Sequence, residues 1–466
     1  MSPLTSPPDK QYLPFQEIGI REGISRQHIL IADEMGLGKT VEAIGILNNT
    51  EWQSCLIVCP ASLRLNWKHE IQEWLIRDNC IITIPDKLLI APFSDITIIN
   101  YDKLLKFSPQ LRKLTFDVVI YDESHYLKSP KAKRTKLCFG KQKVVWGRKR
   151  IFLTGTPILN RPIELFPLLM ELGVITNWKY FVNRFCDAKE KTVYTKNGKV
   201  KVLDISGSNH EAELQAILRD KIMIRRLKSE VLTELPAKIQ QIIFLPENGG
   251  IVGIKKERLE FAETLKNPNL PLAIMNLSEL RQSNALRKVK FAKEYIDNIL
   301  ECQQKVVVFA WHKVVVEELV DSLKEYHPVV ITGETSEKNR DKAVTEFQNG
   351  KARVIIGNIK AMGTGLTLTV ASDVIFIEMD WTPGNNNQAE DRVHRIGQNE
   401  TCHIHYLVYE DTVDAFIAKK VADKRKVISK ILDWQENNQE NNKEILENNN
   451  NILDIYLSEN DKWSGI

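Results

Sequence analysis

The sequence predicts an α/β protein made of two tandem parallel-sheet lobes, with helical insertions between them and an amphipathic C-terminal helix. Short apolar runs recur in two separate series with amphipathic stretches between them. Strands buried on both faces read as continuous apolar runs, and crossover helices supply the spacing. The length, 466 residues, exceeds what one hydrophobic core ordinarily serves, so roughly two to four folding units are expected.

The first series is HILIAD, CLIVCP, ITIIN, DVVIYDE and RIFLTGTP, within residues 28–157, and places the first lobe in 1–177. From 178 to 304 the strand rhythm breaks down, and this span is assigned to helical insertions and a linker. Within it Glu211–Val231 and Lys255–Leu300 read as charged helices, and Lys191–Val202 as a hairpin around Asn197-Gly198, the dipeptide that tight hairpin turns favour. KVVVFA, PVVITG, ARVIIGN, DVIFIE and CHIHYLV form the second series and place the second lobe in 305–411, with amphipathic helices at Val314–Leu323 and Glu337–Phe347. In 412–434, Val413, Phe416, Ile417, Val421, Val427, Ile428 and Ile431 recur at helical spacing opposite Lys419, Lys420, Lys424, Arg425 and Lys426, which reads as one docked amphipathic helix. The asparagine-rich, acidic stretch 435–466 is expected to be disordered.

With 43% hydrophobic and 27% charged residues and no long apolar run, the composition is that of a globular protein without a membrane function. The start, MSPLTSPPDK, lacks the basic and apolar regions of a secretory signal, so a cytoplasmic or nuclear place is expected. Seven cysteines without CxxC spacing read as reduced, buried thiols. Cys402, His403 and His405 alternate along a strand and cannot all face one metal. The net charge is +4, but the stretch from Gln435 carries seven acids against two lysines, which leaves the body at about +9 and permissive for a polyanion.

Chemistry concentrates at strand ends. ADEMGLGKT (32–40) lies between a strand and a helical stretch. Backbone N–H groups there can approach phosphates, Lys39 can reach the outer phosphates, and the Thr40 hydroxyl can ligate magnesium. Asp33 stands where the strict GxxxxGK[ST] pattern has its first glycine. Such a loop needs an acid on a neighbouring strand, and Asp122 and Glu123 close VVIYDE, one suited to the metal and the other to orienting water. In the second lobe, Gln388, Arg392 and Arg395 stand at i, i+4 and i+7, a spacing that predicts one helical face presenting both arginines to a phosphate.

DEMGLGKT (33–40), DESH (122–125), LTGTP (153–157), MGTGLTL (362–368) and QAEDRVHRIGQ (388–398), in this order, resemble the Swi/Snf-related ATPases of helicase superfamily two. The likeness runs from about Leu13 to about Leu432 and implies RecA-like lobes of the P-loop NTPase class with a C-terminal brace helix. PASLRLNWKHEIQEW (60–74), WTPGNNNQAEDRVHRIGQ (381–398) and IHYLV (404–408) are most similar to the annealing-helicase or fork-remodelling branch. The resemblance implies that Gln16 reads adenine, that Gly36, Gly38, Lys39 and Thr40 bind ATP and Mg2+, and that Asp122 holds the metal beside Glu123 as base. It further implies coupling through His125, Thr154, Gly155, Thr156, Gln388 and Trp381, with Arg392 and Arg395 as arginine fingers. DNA contacts would fall on Ser62, Asn100, Thr332, Lys360, Thr364 and Gly365. Ala361-Met362-Gly363 departs from the paired glycines many members carry, and Thr367 replaces a common asparagine.

The expected function is a DNA-dependent ATPase that translocates on double-stranded or branched DNA without sequence preference, as a monomeric motor. A strand-separating DNA or RNA helicase and a nucleotide-gated DNA-binding scaffold are the alternatives. Protein partners are expected through the tail, at the nucleoid of a bacterial or phage host, towards which the spare architecture leans, or in a nucleus.

Overall fold

The computed structural model describes residues 3–85, 94–195, 198–232, 234–245, 270–363, 365–409 and 412–433. The tail from 435 and the early part of the expected helix from Lys255 lie outside these residues. Two compact units are present. Among the described residues, the first comprises those of Met1–Ala188, Ile205–Thr233 and Lys430–Asp433, and the second those of Lys189–Asp204 and Glu234–Ser429.

The first unit is built on a seven-stranded parallel sheet. Its strands are β1 (His28–Ile31), β2 (Cys55–Cys59), β3 (Ile82–Thr83), β4 (Ile96–Asn100), β5 (Phe116–Asp122), β6 (Gly147–Leu153) and, after a hairpin, β9 (Met223–Ile224). The order β3-β4-β2-β5-β6-β1-β9 sets the ends of β5, β6 and β1 side by side. The loops DESH, TGTP and ADEMGLGKT therefore emerge next to one another at the carboxyl edge, where ligands of open α/β sheets bind. The five expected strands are β1, β2, β4, β5 and β6. The two edge strands add only two residues each, too few to show a period.

The stretch Glu211–Val231, expected as one helix, is broken. A helix covers Glu211–Lys221, β9 follows, and a short helix takes Lys228–Val231. The apolar run Ile222–Ile224 leaves the helix because its carbonyls accept from β1, Ile222 from Leu30 N at 2.8 Å and Ile224 from Ala32 N at 2.7 Å.

The hairpin is a separate antiparallel sheet of β7 (Lys189–Thr195) and β8 (Gly198–Asp204). The second unit carries a six-stranded parallel sheet in the order β10-β15-β14-β11-β13-β12. Its members are β10 (Lys238–Phe244), β11 (Val306–Ala310), β12 (Val329–Ile331), β13 (Val354–Asn358), β14 (Asp373–Phe376) and β15 (Cys402–Val408). β10 corrects the expectation of helix and linker there. As an edge strand it has one neighbour and stays half-buried, so its composition lacks the continuous apolar run of β11.

That run has a direct structural reading. Val307 and Phe309 pack into one core with Ile355, Val374 and Phe376, while Val306, Val308 and Ala310 pack into another with Val354, Ile356 and Ile375. Both faces of the sheet are covered. The helix Leu270–Cys302 covers one of them, and its Lys288, within the span read as a charged helix, is 1% exposed. Its ammonium donates to Ile377 O at 2.7 Å and Leu407 O at 2.8 Å and pairs with Asp414 at 2.6 Å. The C-terminal helix spans Val413–Leu432 as expected. No helix among the described residues is long and apolar enough to cross a membrane.

Candidate nucleotide site and arginine segment

In the first unit the helix Lys39–Asn48 starts directly from the phosphate loop, and Gly38 before it takes φ 81°. A side chain at Gly38 would also meet Gln16 Nε2 at 2.4 Å. Gln16 is buried, accepts from Leu13 N at 3.0 Å and donates to Leu37 O at 3.1 Å, so the residue expected to read adenine is locked against the loop. Lys39 Nζ folds back on the carbonyls of Asp33 and Glu34 at 2.8 and 3.1 Å. Burial lowers its pKa, while Glu123, Asp33 and Asp122 oppose that effect. Thr40 opens the helix beside it.

At the end of β5, Asp122 accepts from Trp67 Nε1 at 2.8 Å and from Glu123 N at 2.9 Å. Burial, and then the charge of Glu123, push its carboxyl up to about 7. Glu123 takes φ 47° and ψ 51°, a left-handed conformation that non-glycine residues rarely adopt. His125 Nδ1 lies 3.1 Å from Glu123 Oε2 and 3.1 Å from Thr154 Oγ1. Thr154 Oγ1 in turn accepts from Thr156 N at 3.1 Å. Gly155 closes this layer, because a side chain there would meet Met35 Cγ at 2.4 Å. His125 Nδ1 can bond only one of Glu123 Oε2 and Thr154 Oγ1 at a time, so His125 stands at a junction between the acid pair and the TGT loop. Asn100, at the end of β4, has its Oδ1 buried without a hydrogen-bond partner. Ser62 lies on the turn Ala61–Leu63 after β2, its side chain outside the described residues.

Sequence reasoning missed two arginines here. Arg226 pairs with Asp33 and, at 2.8 Å, with Glu42, both carboxylates being fully buried; it also donates to Phe15 O. Arg225 pairs with Asp433 and donates to Ala32 O at 2.7 Å and Gly155 O at 3.2 Å. The departure at Asp33 is thereby explained, since its carboxylate anchors Arg226 instead of freeing the backbone. Burial and Asp33 push Glu42 well up, and Arg226 opposes them. Removing one partner of a buried ion pair typically costs about 3–5 kcal/mol. Arg226→Ala is therefore expected to lower the first unit's stability by several kcal/mol, read as a shifted denaturation midpoint. Trp67 was also missed as a partner of Asp122, although it lies within the quoted motif at 60–74.

In the second unit the expected helical face at 388, 392 and 395 does not form. The helix Pro383–Glu390 stops before the arginines, and 391–397 run through turns and bends. Two competing sets of bonds end it. Glu390 is drawn to Lys238 at 3.0 Å, Arg425 at 3.1 Å and the Tyr406 hydroxyl, while the Arg392 carbonyl accepts from Leu368 N at 2.9 Å. Burial raises Glu390, but Lys238 and Arg425 outweigh it and hold the carboxyl below its usual range. The arginines still converge. Arg392 is buried, donates from Nε to Gln388 O at 3.0 Å and from Nη1 to Leu366 O at 3.3 Å, and Arg395 Nη1 reaches the same carbonyl at 3.4 Å. Gln398 secures the segment by donating to Ala371 O at 2.8 Å.

Trp381 packs edge-on against Phe416 and below the Arg281 guanidinium, and its carbonyl accepts from Lys424 at 3.1 Å. Lys360 lies 4.6 Å from the ring of Trp311, a residue the sequence reading did not single out. Thr332 bonds Thr335 and Glu334 within its own turn. Gly365 takes φ 72°, and Thr364 lies outside the described residues.

A phosphate loop with a paired acid in one parallel-sheet lobe, followed by a second such lobe with clustered arginines, defines the class of two-lobed helicase-like ATPases. The SNF2-related domain matches residues 21–250 and the helicase conserved C-terminal domain residues 288–397. The SWI/SNF-related matrix-associated actin-dependent regulator of chromatin subfamily A-like protein 1 of Xenopus tropicalis is 37% identical, across 89% of this chain and 44% of that protein. The DNA annealing helicase and endonuclease ZRANB3 of Mus musculus is 37% identical, across 88% of this chain and 40% of its own length. A Sulfolobus solfataricus SWI2/SNF2 ATPase core in complex with dsDNA is 21% identical at a TM-score of 0.42, covering 91% of this chain and 98% of that one. The chain belongs to the SNF2-related family of helicase-like ATPases. It spans less than half the length of these two curated relatives.

Proposed function

We propose that the chain is a DNA-dependent ATPase that translocates along double-stranded or branched DNA as a monomeric, sequence-independent motor. The observation that carries this reading is the position of His125, whose Nδ1 lies 3.1 Å from both Glu123 Oε2 and Thr154 Oγ1, between the hydrolytic acid and the strand-end loop expected to sense DNA. Residues 1–177 act as the ATP-binding lobe and 305–411 as the second, with Arg392 and Arg395 reaching the γ-phosphate when ATP closes the motor.

Glu123 orients the attacking water, and Lys39 gives up its carbonyl partners to meet the phosphates. The donor set suits Mg2+: Asp122 and Thr40 offer hard oxygen ligands, and the Asp122 carboxyl, raised by burial and then by the charge of Glu123, stands beside a second acid whose charge a divalent cation would offset. When bound, the ion would neutralise charge on the transferring phosphate. Ser62, Asn100, Thr332, Lys360, Thr364 and Gly365 carry the phosphate track, and Trp381 and Gln388 couple it to the arginines. The mouse relative, a DNA annealing helicase and endonuclease, favours work at branched DNA in repair or replication, at the nucleoid or in a nucleus.

The test is ATPase stimulation by duplex DNA against single-stranded RNA, alongside displacement of a triplex-forming strand. Stronger stimulation by RNA, or no triplex displacement with ATP, overturns the reading.

A further inference from the structure

Two buried aromatic side chains of the first unit, Trp67 and Tyr101, both aim their polar atoms at Asp122. The sheet brings them there. β2 lies between β4 and β5, with Cys59 opposite Asn100 and Val58 opposite Tyr121, so the segments that leave β2 and β4 emerge beside the end of β5. After β2 the helix Arg64–Trp74 buries Trp67 and Ile71, four residues apart and therefore on one face. They pack into the core with Ile57, Ile98 and Ile120. After β4 the next residue is Tyr101, whose ring stacks on that of Tyr126 at 5.5 Å.

The bonds fall on two different parts of the acid pair. Trp67 Nε1 donates to Asp122 Oδ2 at 2.8 Å and the Glu123 N–H to Asp122 Oδ1 at 2.9 Å. Both carboxylate oxygens are held, which fixes the plane of the group, and each oxygen keeps a second lone pair. The Tyr101 hydroxyl donates to the Asp122 carbonyl at 2.8 Å. The peptide between Asp122 and Glu123 is thus pinned on both sides, its oxygen by Tyr101 and its N–H by Asp122 Oδ1. That peptide leads into the left-handed backbone of Glu123, φ 47°, and such a conformation persists only where its surroundings hold it. A buried indole or phenol needs some acceptor. These two, from different elements, take theirs from the same residue.

We infer that Trp67 and Tyr101 are positioning residues for hydrolysis. Trp67 fixes the orientation of the carboxylate that would hold Mg2+, and Tyr101 fixes the peptide from which Glu123 is aimed at the attacking water. Both act through the acid pair, so the inference rests on the roles of Asp122 and Glu123 in the proposed function. Removing a group that hydrogen-bonds a metal-holding side chain typically costs about 10–100-fold in metal affinity or activity.

The experiment measures binding of a fluorescent, slowly hydrolysed ATP analogue in EDTA and across a Mg2+ series, beside steady-state ATPase kinetics at saturating Mg2+. It compares the unaltered chain with Trp67→Phe, Tyr101→Phe and Asp122→Asn. Trp67→Phe should bind the analogue in EDTA as the unaltered chain does, while the Mg2+ concentration that gives half the gain in affinity rises about 10–100-fold. Tyr101→Phe keeps the ring and its stack and loses one oxygen. It should keep the Mg2+ response and KM of the unaltered chain and lose about tenfold or more in kcat. A Mg2+ midpoint unmoved by Trp67→Phe, or affinity in EDTA lost with it, overturns the assignment of Trp67, because a folding defect disturbs the phosphate loop with or without the ion. An undiminished kcat in Tyr101→Phe overturns that of Tyr101. Failure of the underlying reading is distinct: Asp122→Asn would itself leave the Mg2+ response unchanged.

Discussion

Glu123→Gln is expected to abolish ATP turnover while leaving nucleotide affinity within a few fold. The substitution preserves shape and an oxygen that can face His125, and the left-handed backbone at this position, φ 47°, is set by the strand end and need not change. What it removes is the group able to accept a proton from water, and general-base catalysis contributes about 10²–10⁴-fold. It also removes the charge that, after burial, does most to raise the carboxyl of Asp122, so the phosphate and metal contacts of the site should be retained. A nucleotide-binding titration beside steady-state kinetics checks both halves of the expectation. Undiminished kcat would remove Glu123 from the role of base.

Arg395→Ala should cut DNA-stimulated turnover by about a thousandfold or more, the scale reported for arginine fingers, with ATP affinity nearly intact. Arg395 makes a cleaner probe than Arg392. Its contact with Leu366 O is long, 3.4 Å, and the side chain is half-buried, so little folding energy should be lost. Arg392 is buried and bonded to both Gln388 O and Leu366 O, so its removal would loosen the segment as well as the chemistry. If Arg395→Ala keeps full stimulated turnover and an unchanged melting temperature, it is not a finger and the expectation fails.

The legible parts of this protein share one property: each is encoded by residues adjacent in the chain. β11 and β13 are visible as VVVFA and VIIGN because a strand covered on both faces needs apolar side chains at every position. The phosphate loop is visible because glycine, lysine and threonine must follow one another where a strand turns into a helix, and Asp122 and Glu123 because they close an apolar run. β10 was not legible, since an edge strand covered by one neighbour tolerates Lys238, Gln240 and Gln241. Nor were β3 and β9, which are shorter than any period.

The i, i+4, i+7 spacing of Gln388, Arg392 and Arg395 shows how local reasoning can be right about company and wrong about form. The side chains do converge at Leu366 O, but through turns. Lys238 and Arg425, more than thirty residues away on either side, draw Glu390 and end the helix there. The same applies to Arg226, whose pairing with Asp33 explains the unusual first residue of the loop across 193 positions of chain.

Short-range chemistry and periodic burial leave local marks, so the strand-rich architecture of both lobes, the family, and the phosphate-loop and acid-pair motifs could be read from the sequence. Which charges are buried and paired, where the arginine segment leaves its helix, and that residues 189–192 and 199–203 of the hairpin stand exposed, came only with the tertiary structure. Those depend on which distant groups meet, and a buried charge takes its partner from wherever the fold brings one.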